Sequence, residues 1–173
     1  MSPNENKAII ERYVQKAWGE GDWGAAEEIV DENVVFHDQV REGDLPAGRE
    51  GLRVAMERIT TGMPDFVMDV HEIVAEGDIV VIRWSSTGTH AGDFNGFPAT
   101  GRVATLYAIS MVRLKDGRIV EGWQETDRLG MAQQLGMMPR SAMPRPVAKA
   151  IVSMIRLKDR WSRKQNRETP ASH

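Results

Sequence analysis

The dipeptide Asp116-Gly117 stands between two runs rich in β-branched and aromatic residues, and nothing else in the chain restricts the fold as strongly. A two-residue hairpin loop of type I′ needs positive φ at both central positions, which Asp-Gly supplies at least cost. The pair therefore predicts antiparallel neighbours over Val103 to Leu114 and Arg118 to Thr126. Asp127 follows at once and offers a side-chain oxygen to cap a short helix, Arg128 to Leu135, which Gly136 can end.

Upstream, Ser2-Pro3-Asn4-Glu5 reads as a capping box with proline at the first helical position, and Ile10, Tyr13, Val14 and Ala17 continue an apolar stripe at helical spacing towards Gly19. Asp22 can cap a second helix carrying Trp23, Ala26, Ile29 and Val30. A short strand, Val34 to His37, precedes a loop from Gln39 to Gly48 and a third helix from about Arg49 to Thr61. Phe66 to Val74 and Ile79 to Thr89 complete the predicted meander of antiparallel strands. Helices first and a sheet afterwards make the fold class α+β, with the helices packed on one face of the sheet.

The 173 residues suffice for one core, and the absence of cysteine excludes disulfides and thiolate chemistry. Charge is uneven: the net value is −3, yet residues 141–173 carry eight Lys or Arg against Asp159 and Glu168. The remainder is acidic, which argues against nucleic acid as a partner. Met1 to Lys7 lacks the pattern of a signal peptide and no apolar run reaches about 20 residues, so a cytoplasmic protein is expected. The domain is expected over 1–137, a proline-containing linker over 138–146, an amphipathic basic helix over 147–164 and a disordered tail over 165–173. That helix reads first as a cover for a neighbouring subunit or for the domain itself, and second as a contact for a membrane surface or acidic partner.

Several stretches together resemble one family: Met63-Pro64-Asp65-Phe66, Glu76-Gly77-Asp78-Ile79-Val80, Gly88-Thr89-His90, Gly96-Phe97-Pro98-Ala99-Thr100-Gly101-Arg102, Asp116-Gly117-Arg118-Ile119-Val120-Glu121 and Gln134-Leu135-Gly136. In this order, over residues 5 to 137, the chain resembles the SnoaL-like polyketide cyclases of the nuclear-transport-factor-2-like superfamily, which also holds ketosteroid isomerases. The resemblance implies a cystatin-like cone of curved antiparallel sheet closed by helices over a mostly apolar pocket, and a homo-oligomer built through the sheet. It further implies ring closure of a polyketide-like substrate by intramolecular aldol condensation, with no metal and no organic cofactor. An Asp on the last strand would act as general acid/base and a His on the preceding strand would line the pocket. A carboxyl group in such an apolar pocket has its pKa raised, which suits proton transfer near neutrality.

Carried onto this chain, those two positions hold Gln124 and Ser110, and the residue two before the acid, often His in relatives, is Gly122. An amide exchanges no proton at ordinary pH. Strict alternation places Gln124 and Glu121 on opposite faces of the last strand unless a bulge intervenes. Asp127 reads first as a helix cap and second as a replacement acid. His37, closing its strand beside the long loop, is the other candidate for proton transfer. Gln124, Ser110, Tyr107 and Trp84 are candidates for substrate contact, Ser110 and Gln124 forming a neutral polar patch if their strands are adjacent. The histidines show no metal-ligand spacing. The expected function is a cofactor-independent cyclase or isomerase acting on a carbonyl-bearing hydrophobic molecule, the alternative a non-catalytic binding or oligomerisation module.

Overall fold

The structure, a computed structural model, describes residues 1–37, 45–94, 96–139, 144–154 and 156. The chain divides into a unit Met1–Met138 and a second unit Pro139–His173. In the first, helix α1 (Pro3–Tyr13) begins on the capping box: the Ser2 hydroxyl accepts from Glu5 N–H, while the Glu5 carboxylate accepts from Ser2 N–H at 2.6 Å. The helix runs straight into a π-helical turn, Val14–Gly19, so that one apolar stripe crosses both. Asn6, buried under α1, donates to the Gly77 carbonyl at 2.9 Å and fixes that helix to a hairpin of the sheet.

Helix α2 (Trp23–Ile29), capped by Asp22, leads directly into strand β1 (Val30–His37). Helix α3 (Gly48–Gly62) is held to this corner by Arg49, whose guanidinium donates to the carbonyls of Glu27 and Val30. Strands β2 (Val67–Glu76), β3 (Ile79–Thr89), β4 (Val103–Lys115) and β5 (Arg118–Thr126) then form an antiparallel meander. Asp116 and Gly117 have φ of 50° and 77°, as a type I′ turn requires. Helix α4 (Arg128–Gln134) starts on Asp127 and is clasped to β4 by Gln134, whose side-chain amide exchanges two hydrogen bonds with the Thr105 backbone.

The result is the expected α+β architecture around a curved five-stranded sheet, in the order β1-β5-β4-β3-β2. Two details differ from the sequence expectation. Strand β1 begins at Val30 rather than Val34 and lies parallel to β5, so the sheet is mixed at this edge. A register shift beside Val120 also breaks the alternation of β5. It leaves Ile119 buried on the same face as Gly122 and Gln124, while Glu121 and Trp123 point the other way.

One face of the sheet carries the core. Val80, Ile82 and Trp84 of β3, Ala108, Val112 and Leu114 of β4 and Ile119 of β5 pack against Ile10, Tyr13, Val14, Ala17, Leu52 and Met56 from the helices. Phe36 of β1 sits directly across from Gly122, where a Cβ would lie 2.5 Å from its ring. Glycine at 122 is therefore what lets β1 close on β5 with an aromatic ring between them and the core.

In the second unit, a helix over 145–154 starts with the Pro144 carbonyl accepting from Val147 and Ala148 N–H, and Val147, Val152 and Met154 are exposed. Most of the Gln39–Gly48 loop, the end of the basic helix and the 165–173 tail lie outside the described residues. Among the described residues no helix is long and apolar enough to cross a membrane.

Two stability outcomes follow. Gly122→Ala must displace the Phe36 ring and should cost about 1–3 kcal/mol in urea unfolding; an unchanged midpoint would contradict the Phe36 contact. Asp65 accepts from both the hydroxyl and the backbone N–H of Thr89, at 2.6 Å each. These bonds, the hydroxyl one first, hold its carboxyl below the ordinary range. A depressed folded-state pKa stabilises above the unfolded value of about 4 and is lost as pH falls through the folded one. Thermal melts of Asp65→Asn should accordingly lose less on acidification below about pH 4 than those of the wild type; an equal acid loss would contradict this.

Candidate functional site

A cavity of about 150 Å³ lies between the helices and the core face of the sheet. Its walls are apolar: Val14 and Trp18 from the π-helical turn, Leu52 and Ile59 from α3, Met63, Phe66 and Phe94 from the connections, and Ile82, Leu106 and Val112 from the sheet. Among the described residues no Asp, Glu, Lys or Arg lines it, and His37 is the one histidine that does.

Three of its polar side chains form a connected line across the strands. Ser110 of β4 and Gln124 of β5 are register partners, and the Ser110 hydroxyl donates to Gln124 Oε1 at 3.2 Å. Trp84 pairs with Ala108, but its indole reaches diagonally and Nε1–H donates to the Ser110 oxygen at 2.9 Å. Trp84 and Ser110 are each only 8% exposed. A neutral relay from Trp84 through Ser110 to Gln124 thus occupies the place where the resemblance puts an acid and a histidine.

The other candidate residues are not brought to this relay. Asp127 is exposed, accepts from Gly130 N–H at 2.8 Å as the cap of α4, and is absent from the cavity wall. Tyr107 lies three residues before Ser110 on a strand, hence on the opposite face, and is 54% exposed there. His37, at the end of β1, borders the cavity, but its Nε2 bonds to Glu121 Oε1 at 2.9 Å rather than to Gln124. Its ring stacks on Trp123 with centroids 5.2 Å apart, and Glu121 is held in turn by Arg113 at 2.5 Å. Because a carboxylate can only accept, the bond places a proton on Nε2, and in the neutral imidazole the lone pair is then on Nδ1.

Sequence reasoning missed Glu121 as the partner of His37. The signal lies in the parallel pairing of β1 with β5, which sets Val35 beside Glu121 and His37 beside Trp123 and has no local marker. Of the remaining histidines, His90 is fully buried and accepts from Thr100 N–H, ordering the connection between β3 and β4, and His71 bonds to Ser85 at the β2 bulge.

An α+β fold with curved sheet, helical cover and apolar cavity is that of the nuclear-transport-factor-2-like proteins. More narrowly, residues 8–135 match the family model for SnoaL-like polyketide cyclase, and the chain belongs to that family. No curated protein matches it in sequence. Among solved structures it is similar to AclR, a candidate hydroxylase of Streptomyces galilaeus, at 25% identity and a TM-score of 0.70, covering 93% of this chain and 98% of that one. It is also similar to IdmH, a candidate polyketide cyclase of Streptomyces antibioticus, at 32% identity and 0.66, covering 76% and 98%. A third, a candidate polyketide cyclase of Acidithiobacillus ferrooxidans, matches at 32% and 0.65, covering 79% and 99%.

Proposed function

We propose that the chain binds a largely apolar, polyketide-like small molecule in this cavity, with its one polar group held at Ser110 and Gln124. The observation that carries the reading is the composition of the wall: an apolar chamber with a hydrogen-bonded neutral relay inside it and no charged side chain on the described lining. Such a chamber rewards burial of hydrocarbon surface and orients the ligand through one or two placed polar groups. An amide at 124 can hold an oxygen atom in place but cannot exchange a proton with a carbon acid, so binding is the primary function assigned to this strand.

A second reading has one specific observation behind it. His37 borders the cavity and is tied through Nε2 to Glu121, which in the neutral imidazole leaves the Nδ1 lone pair available. In a cyclase or isomerase, His37 Nδ1 would take a proton from the carbon next to a substrate carbonyl. The resulting enolate would attack a second carbonyl or be reprotonated elsewhere, and the imidazolium would return the proton to the new alkoxide or carbon. This reading is separable from binding. With α-tetralone as probe in deuterium oxide, it predicts enzyme-accelerated exchange at the carbon next to the carbonyl, reduced about 100-fold or more in His37→Ala. Probe binding without accelerated exchange would leave the binding function and exclude the catalytic one.

We further propose that the open face of the sheet pairs with a second copy of the chain. Val67, Val103, Tyr107 and Ile109 stand exposed together on that face, and exposed apolar patches on a sheet mark contact surfaces. Sedimentation should give a dimer or larger for the wild type and a monomer for Tyr107→Glu combined with Ile109→Glu. A monomeric wild type would contradict the proposal.

A further inference from the structure

We infer that the cavity selects its ligand by a donor-only pole at Gln124, so that it takes a molecule with a bare acceptor oxygen, a ketone, ester or lactone carbonyl, in preference to the matching alcohol or hydrocarbon. The inference rests on the binding function proposed above and adds the chemistry of the group recognised.

Proton direction decides which end of the amide faces the cavity. An indole N–H can only donate, so the bond from Trp84 Nε1 to Ser110 Oγ at 2.9 Å fixes Ser110 as its acceptor. The remaining Ser110 proton has one partner among the described residues, Gln124. If the Gln124 amide were turned over, its NH2 would face Ser110. The serine proton would then be left without an acceptor in a site only 8% exposed, and an unmade buried hydrogen bond is costly. The amide is therefore oriented with Oε1 towards Ser110 and Nε2 away from it. Among the described residues Nε2 has no partner of its own, and Gln124 lines the cavity. What the relay presents to a ligand is thus an N–H pair.

A carbonyl oxygen satisfies that donor and brings no proton of its own. A hydroxyl can also accept from Nε2, but its proton then faces Ile82, Leu106 and Val112, or must turn the hydroxyls of Tyr13 or Ser86. A hydrocarbon leaves Nε2 dry and unpaired. Ser110 acts as a positioning residue in this scheme: it need not touch the ligand, and its proton sets which end of the amide does.

The test uses three ligands of one shape, α-tetralone, α-tetralol and tetralin, titrated against the full chain and followed by quenching of the tryptophans that line the cavity. The wild type should bind the ketone about tenfold more tightly than tetralin, with the alcohol between them. Gln124→Met, of similar volume and without a donor, should bind ketone and hydrocarbon alike. Ser110→Ala removes the hydroxyl proton that holds Oε1, so either end of the amide can face the cavity, and the ketone-to-alcohol preference should shrink or invert while tetralin binding persists. A purely structural Ser110 would move all three affinities together. Equal wild-type affinity for the three ligands, or tightest binding of the alcohol, overturns the donor pole and leaves the cavity a binding site. Binding of none of them overturns the binding function, and the donor pole with it.

Discussion

The pairing of β4 with β5 is the constraint on which the rest depends. One type I′ turn at Asp116-Gly117 sets the register, and the shift beside Val120 then corrects the alternation so that Ile119, Gly122 and Gln124 all face the core. Without that shift the strand would bury either its hydrophobic end or its polar end, since a one-residue slip exchanges the two faces. With it, Ile119 closes the bottom of the core while Gln124 meets Ser110 at the cavity. The same strand carries Asp127 just beyond its end, where the carboxylate caps α4. A single segment thus serves as core strand, cavity wall and helix start.

The second dependency is the contact between Phe36 and Gly122. A parallel edge strand needs a reason to dock, and here an aromatic ring lies over a residue with no side chain. The space that a larger residue at 122 would fill is taken by Phe36, which itself lines the cavity. Docking also brings His37 to Glu121 and Trp123, which explains how the Glu121 carboxylate finds partners at the strand end while the interior polar groups stay neutral. The division is physical: an ionised carboxylate in the apolar chamber would carry a desolvation penalty, whereas Glu121 keeps Arg113 and partial exposure.

Much of this was legible in the sequence because it is local. The capping box of α1, the Asp-Gly turn, the bounds of β3 and β5 and the Asp127 cap all rest on residues within a few positions of one another. The start of β1 was hidden by Asp31, Glu32 and Asn33, polar residues on an edge where a strand need not look apolar. Its parallel pairing, and with it the His37–Glu121 bond, joins positions 84 residues apart and leaves no local trace. The facing of Ser110 and Gln124 follows from counting back from the turn, and the same counting separates Tyr107 from Ser110. The diagonal reach of Trp84 to Ser110 depends on a side-chain rotamer, which sequence does not encode visibly.

The central claim is that the Gln124 amide is held in one orientation with its nitrogen towards the cavity. Side-chain amide NMR tests it directly, with Gln124 assigned by its loss in Gln124→Met. In the free protein the Gln124 NH2 pair should give one sharp set of resonances, and addition of α-tetralone should shift those protons downfield while the Trp84 indole N–H stays in place. A Gln124 NH2 that is indifferent to the bound ketone, with the indole proton moving instead, would contradict the account.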